Sequence, residues 1–219
     1  MKVIIRVDGS LEIGQGHISR CLNLATEFKK VSAKILFISK NYDDEYHKLI
    51  QKKGFQVKKI NKNLSKKQDT DFTLKIIKKA KPSYIVLDCY DLNSDWEKRV
   101  SKYCKIIRIN DFANKTFSKF YINSNTKNKN EIYKKNKKNK SKTKFLLGPR
   151  YNILHENFTK YRNLALIKFK KKIKVKKVLI FIGVYKDSLI LLSRILSILN
   201  KLKFNHIKFQ VILGNEMIF

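Results

Sequence analysis

Short apolar runs of strand length alternate along this chain with segments of helical period, and this alternation restricts its fold more than any single motif does. "VIIRV" (Val3 to Val7) reads as a first strand. Ile18, Leu22 and Ala25, with Cys21, Leu24 and Phe28 beside them, line one face of a helix that follows His17. "AKILFIS" reads as a second strand, "DDEYHKLIQKKG" as a short helix closed by Gly54, and "FTLKIIKKAKP" as a helix stopped by Pro82. "YIVLD" is a strand, "SDWEKRVSKY" a helix that Ser94 caps, and "KIIRIND" a further strand. Strands separated by helices imply right-handed βαβ units, so the expected class is α/β with a Rossmann-like, mainly parallel sheet.

The remainder of the chain is more basic. Thr126 to Lys144 holds nine lysines and one acid, and is expected to be a solvated loop with little fixed structure. "FLLGPRYNILHENF" restores apolar content, and "IKFKKKIKVKK" (Ile167 to Lys177) reads as a linker tail. "VLIFIG", a helix from about Ser188 to Leu202 and "FQVILG" then begin another strand–helix–strand unit. The expected organisation is an N-terminal domain over 1–160, a basic linker over 161–177, and the start of a second domain over 178–219. A second Rossmann-like domain needs roughly 100 residues or more. Far fewer follow the linker, so either that domain is expected to be incomplete or the last unit packs as an extension of the first.

The net charge is +33. Cations on one face would suit a phosphate backbone. Here the excess is nearly all lysine spread along the chain, alongside much Asn and Ile, which fits a biased genome; no nucleic-acid partner is expected. Three cysteines, Cys21, Cys89 and Cys104, with no CxxC spacing disfavour a disulfide framework or zinc knuckle and suit a reducing cytoplasm. No apolar run approaches the ~20 residues of a membrane span, and the expected state is a monomer.

"EIGQGHISRCLNLA" (Glu12 to Ala25) carries the candidate chemistry. Gly14 and Gly16 lie between strand and helix, where free backbone N–H groups and the helix dipole favour anionic or electron-rich ligands. The dinucleotide fingerprint is incomplete, because Ser19 stands at its third glycine position, and there is no Walker lysine. His17 opens the helix at the carboxyl end of a parallel sheet, where such sheets bind ligands. A helix N-terminus favours a neutral imidazole able to accept a proton. A cap that packs against the loop is the competing role.

"RVDGSLEIGQGHISRCLNLA", together with "LDCYDL", "IND", "INSN" and "LLGPRYNILHENF", resembles the UDP-2,4-diacetamido-2,4,6-trideoxy-β-L-altropyranose hydrolases of pseudaminic acid biosynthesis, relatives of spore-coat polysaccharide glycosyltransferase-like proteins. The motif residues are Arg6, Asp8, Gly14, Gly16, His17, Arg20, Cys21 and Ala25, and the likeness covers about residues 1 to 160 well. The resemblance implies a GT-B architecture, with the sugar handled by the N-terminal domain and uridine diphosphate by the second, the substrate lying between. It implies hydrolysis at the anomeric carbon without metal or cofactor, with His17 as general base. Tyr90 would line the sugar pocket with Asp88 in support, and Gly14 and Gly16 would bring backbone amides to the sugar or diphosphate.

Each residue also has a plainer role. Asp88 could bond the next turn, Tyr90 could pack, Asp111 could orient a neighbouring loop, and Arg20 could hold the helix through a salt bridge as readily as contact a phosphate. Cys21 is simplest as core, and His47 and His206 have no partner motif. The family's Gly-Gly-x-Asp turn is here "IGVYKDS": Gly183 keeps one position as a weak nucleotide contact, while Ile182 and Tyr185 replace the first glycine and the aspartate. His155 replaces a usual arginine. The hydrolase stands beside two alternatives, a GT-B glycosyltransferase using an acceptor hydroxyl and, less favoured, a basic nucleic-acid-binding protein.

Overall fold

In the computed structural model, residues 1–219 are described except 11, 43, 126–128, 138–141, 172–173, 183–187, 203, 205 and 214–219. Gly183 and Tyr185 therefore lie outside the described residues. By contacts the chain divides into two units, one of Met1–Ser10 with Gly16–Leu154, the other of Leu11–Gln15 with His155–Phe219.

The first unit runs β1 (Lys2–Val7), α1 (Gly16–Lys30), β2 (Lys34–Lys40), α2 (Asp44–Lys52), β3 (Gln56–Ile60), α3 (Lys66–Ala80), β4 (Tyr84–Asp88), α4 (Ser94–Val100), β5 (Lys105–Ile109), β6 (Phe120–Asn123), α5 (Lys129–Asn136) and β7 (Lys144–Leu147). The strands form one sheet in the order β3-β2-β1-β4-β5-β6-β7, and every pairing is parallel. The α/β, Rossmann-like expectation holds.

Alternation along β1 explains the layers. Val3, Ile5 and Val7 face α1 and α2, meeting Ile18, Cys21, Leu22, Ala25, Tyr46 and Ile50. Ile4 faces the other way, into a cluster with Leu74 and Ile77 of α3 and Trp96 and Val100 of α4. A strand apolar on both faces is buried on both, and each such side chain contributes ~1.5–3 kcal/mol. Chain order reverses between β1 and β4, where Val7 sits in register with Asp88. Open parallel sheets take their ligands at the carboxyl ends of the strands at such a switch point.

Several local expectations are corrected. Asn93, not Ser94, caps α4, its Oδ1 accepting from the Asp95 and Trp96 backbone N–H groups. α3 begins earlier than its apolar residues suggest, because Ser65 and Gln68 form a reciprocal capping box. β3, with exposed lysines on a sheet edge, carries too little apolar pattern to read as a strand, and β6 is only four residues long. The basic stretch expected as a loop contains α5, pinned by fully buried Ile132 beside Ala113 and Tyr121, and ends in β7.

The second unit holds α6 (Glu156–Lys170), β8 (Lys177–Ile180), α7 (Ser188–Lys201) and β9 (Lys208–Val211), with β8 and β9 parallel. α6 occupies the first half of the stretch expected as a linker, and His155 caps it through Nδ1, which accepts from the Asn157 N–H. No described helix is long and apolar enough to cross a membrane.

Candidate functional site

Five side chains meet at the carboxyl ends of β1, β4 and β5. Asp88 ends β4 and is fully buried. Its Oδ1 lies 2.7 Å from His17 Nδ1 and accepts from Arg20 Nη2 at 2.6 Å. Oδ2 accepts from Arg20 Nε at 2.5 Å and from the Cys21 thiol at 3.6 Å. Arg20 extends further, its Nη1 donating to both oxygens of Asp111 at 3.2 and 2.9 Å. The Tyr90 hydroxyl donates to Asp111 Oδ2. The result is a continuous chain, His17–Asp88–Arg20–Asp111–Tyr90.

Helix geometry supplies part of this order. His17 and Arg20 are three apart on α1, so both present to the same edge of the sheet. Gly14 has φ +83°, a conformation that favours glycine, in the connection before α1. Gly16 begins α1, and open space surrounds the place a Cβ would occupy. Gly9, which the sequence reading passed over, has the tighter constraint: a Cβ there would meet Ile18 Cγ1 at 2.7 Å.

Electrostatics keeps Asp88 ionised and Tyr90 and Cys21 protonated. Burial opposes ionisation of Asp88, but hydrogen bonds from Arg20 and then His17 outweigh it and hold the carboxyl below its ordinary range. Two partners face His17 Nδ1: the Asp88 carboxylate, to which an Nδ1–H donates with Nε2 left open as an acceptor, and Arg20 Nη2 at 3.1 Å, from which an unprotonated Nδ1 accepts. Burial, then the bond to Asp111, pushes the Tyr90 phenol up to about 12, so it stays protonated and donates. Burial raises the Cys21 thiol well above its ordinary value, in keeping with a core role.

A second buried network stands behind the first. Arg6, fully buried, pairs with Asp8 at 2.5 and 2.9 Å and with Asp69 of α3 at 3.3 and 2.6 Å. Asp8 also accepts from the Lys40 backbone N–H and the Cys89 thiol. It therefore ties the ends of β1, β2 and β4 to α3.

An aromatic edge borders the cluster. Tyr90 stands edge-on to His17 with centroids 4.6 Å apart, and Phe112 edge-on to Tyr90 at 5.0 Å. Tyr90 and Phe112 are 43% and 54% exposed, so this edge faces solvent. Asp111 joins the cluster rather than a loop. Phe112 was not singled out in the sequence, and its only signal there is its place beside Asp111. His47 is buried in α2, away from this group of residues in sequence and sheet position. Among the described residues, no group of three or more His, Cys, Asp or Glu side chains is placed to hold a metal ion.

Fold and site together define an α/β protein with a parallel Rossmann-like sheet and a histidine–carboxylate pair at its switch point. No protein-family model matches the chain. It is 32% identical over 191 residues to an uncharacterised protein of Methanocaldococcus jannaschii, covering 84% of this chain but 37% of that protein's length. Several solved structures share the fold. UDP-GlcNAc 2-epimerase from Neisseria meningitidis bound to UDP-GlcNAc gives a TM-score of 0.58 at 13% identity, over 98% of this chain and 66% of its own. A glycosyltransferase from Rickettsia africae gives 0.59 at 13%, over 96% and 67%. HepE from Anabaena in complex with UDP gives 0.58 at 10%, over 98% and 70%.

Proposed function

We propose that the protein to which this chain belongs hydrolyses a UDP-linked diacetamido-trideoxy sugar at the anomeric carbon, releasing UDP and the free sugar for nonulosonic acid synthesis. The observation that carries the reading is the 2.7 Å contact between His17 Nδ1 and the buried Asp88 carboxylate. In the tautomer that donates Nδ1–H to Asp88, Nε2 is a base at the edge where parallel sheets take their ligands. The motif around His17 and the fold shared with enzymes solved with UDP or a UDP-sugar support the choice of substrate class.

In this reading Nε2 takes a proton from water as the water oxygen bonds to the anomeric carbon. The bond from that carbon to the diphosphate oxygen breaks, and its electron pair leaves with UDP. Asp88 stabilises the imidazolium formed, acting through His17, because its own oxygens are buried and occupied. Arg20 holds Asp88 and Asp111 in place, since its donors already face carboxylates. Tyr90 lines the sugar pocket, and the amides near Gly14 and Gly16 approach the sugar or diphosphate.

UDP release from the UDP-sugar by purified protein tests this. Turnover lost on His17→Ala, with the fold intact by circular dichroism, is the expected result. Turnover unchanged by that substitution would remove His17 as the base. A glycosyltransferase is the second reading, favoured by the shared fold with the Rickettsia enzyme. One base can deprotonate an acceptor hydroxyl as well as water, so UDP release that requires an added acceptor sugar would select it.

A further inference from the structure

Folding gathers part of the scattered lysine charge around one cavity at the opposite edge of the sheet from His17. A cavity of about 650 Å³ lies where the chain enters β4, β5, β6 and β7, at their amino ends. Tyr84, Tyr103 and Phe117 line it. Exposed Lys102, Lys105, Lys119 and Lys142 also line it. A second cavity of about 430 Å³ continues from it, sharing Lys102 and Tyr103 and adding Lys75 and Lys78. The acid there, Asp71, is already paired with Arg99 at 2.5 Å.

Cations and rings are interleaved. Lys78 lies over the Tyr103 ring at 5.2 Å, and Lys105 over Tyr84 at 5.7 Å. Among the described residues, no carboxylate pairs with Lys102, Lys105, Lys119 or Lys142. At the His17 site, by contrast, Arg6 and Arg20 are both neutralised by aspartates. Unpaired ammonium groups around an aromatic-walled hollow suit a ligand with a flat aromatic part and several negative charges. The volume lies within the ~300–1,000 Å³ usual for small-molecule sites.

We propose that this cavity binds an aromatic base carrying phosphates, its ring against Tyr103 and its phosphates on the lysine rim. The source is a free nucleotide or a single-stranded nucleic acid. Stacking on aromatic side chains and lysine contacts to phosphate are the recognition both share. This site is independent of the hydrolase reading.

The test uses the full chain with fluorescently labelled ATP and a labelled twelve-residue oligouridylate, each titrated at several salt concentrations. Replacing Lys102, Lys105, Lys119 and Lys142 together by serine is expected to weaken the tighter probe about tenfold or more. For the strand, the salt dependence should also fall by about 0.7 per cation removed. A charge-matched variant with serine at exposed Lys48, Lys52, Lys53 and Lys62 should change affinity less than about twofold. Tyr103→Ala should weaken the base-bearing probe while leaving competition by inorganic tripolyphosphate unchanged. Photo-cross-linking of the unsubstituted chain should label the Tyr103 peptide, a readout that needs no variant to fold. Tighter binding of ATP assigns a free nucleotide; tighter binding of the oligouridylate assigns a strand. Equal losses in the two four-lysine variants would overturn the site in favour of diffuse charge. So would binding of neither probe, or tripolyphosphate competing as well as unlabelled ATP with Tyr103→Ala silent.

Discussion

Buried Asp88 faces two N–H groups of Arg20, Nδ1 of His17 and the thiol of Cys21. Its charge favours the His17 tautomer that donates Nδ1–H to it, and this gives the residue-scale prediction. Asp88→Asn keeps the volume but can present an N–H to Nδ1, which turns the ring's acceptor nitrogen toward residue 88. UDP release should fall about 10²–10⁴-fold in kcat, the range general-base catalysis supplies, with KM changed little. A variant that instead raises KM at unchanged kcat would make Asp88 a binding residue. Tyr90 and Asp111 show why such roles escape a sequence reading. They lie 21 residues apart, and only the adjacent ends of β4 and β5 bring the hydroxyl to the carboxylate.

At the scale of elements, two features are open to measurement. α5 lies in the lysine-rich stretch, where the count of charges argues for a loop; one fully buried isoleucine and Asn136, bonded to the Thr116 N–H and the Asn114 carbonyl, hold it to the sheet. Ile132→Ala should therefore cost about 2–5 kcal/mol in urea unfolding, the range for emptying a core position. A loss below about 0.5 kcal/mol would mean that α5 does not pack there. The second feature is the pair of buried carboxylate networks at the strand ends. Burial opposes ionisation of Asp8 as it does Asp88, but Arg6 outweighs it and holds the Asp8 carboxyl below its ordinary range. A depressed folded pKa contributes stability that is fully present above the unfolded value of ~3.9 and is lost as pH falls through the folded value. The urea midpoint should stay level from neutral to about pH 5 and drop progressively below about pH 4. Asp8→Asn should flatten that drop while lowering the midpoint at pH 7.

For the whole molecule, burial is uneven between the two units. Unit 1 contains both large apolar clusters, with strands such as β1 and β4 covered on both faces. In unit 2, Leu192 is the single buried apolar side chain among the described residues, and Leu189, Ile190, Ile198 and Leu202 are exposed. Local stability follows buried apolar contact. Amide hydrogen exchange should be slowest in β1 and β4 and at least about a hundredfold faster in α7. Equal protection of α7 and β4 would show that unit 2 has a cover supplied in solution.

By itself, the sequence determined the parts that depend on near neighbours. Apolar alternation and helical period marked β1, β2, β4 and β5 and α1, α2 and α7, and the glycine–histidine turn marked one end of the sheet as the candidate site. Those signals are carried by residues within a turn or two of each other, so they survive without tertiary context. Short or edge strands such as β3 and β6 were not legible, because five and four residues give too short a pattern, and burial of Ile60 and Tyr121 depends on the neighbouring elements. The tertiary structure alone decided that Asp111, 91 residues from Arg20 in sequence, completes the His17 cluster. It also decided that lysines scattered over the chain share one cavity, because strand order, not chain order, fixes which side chains become neighbours.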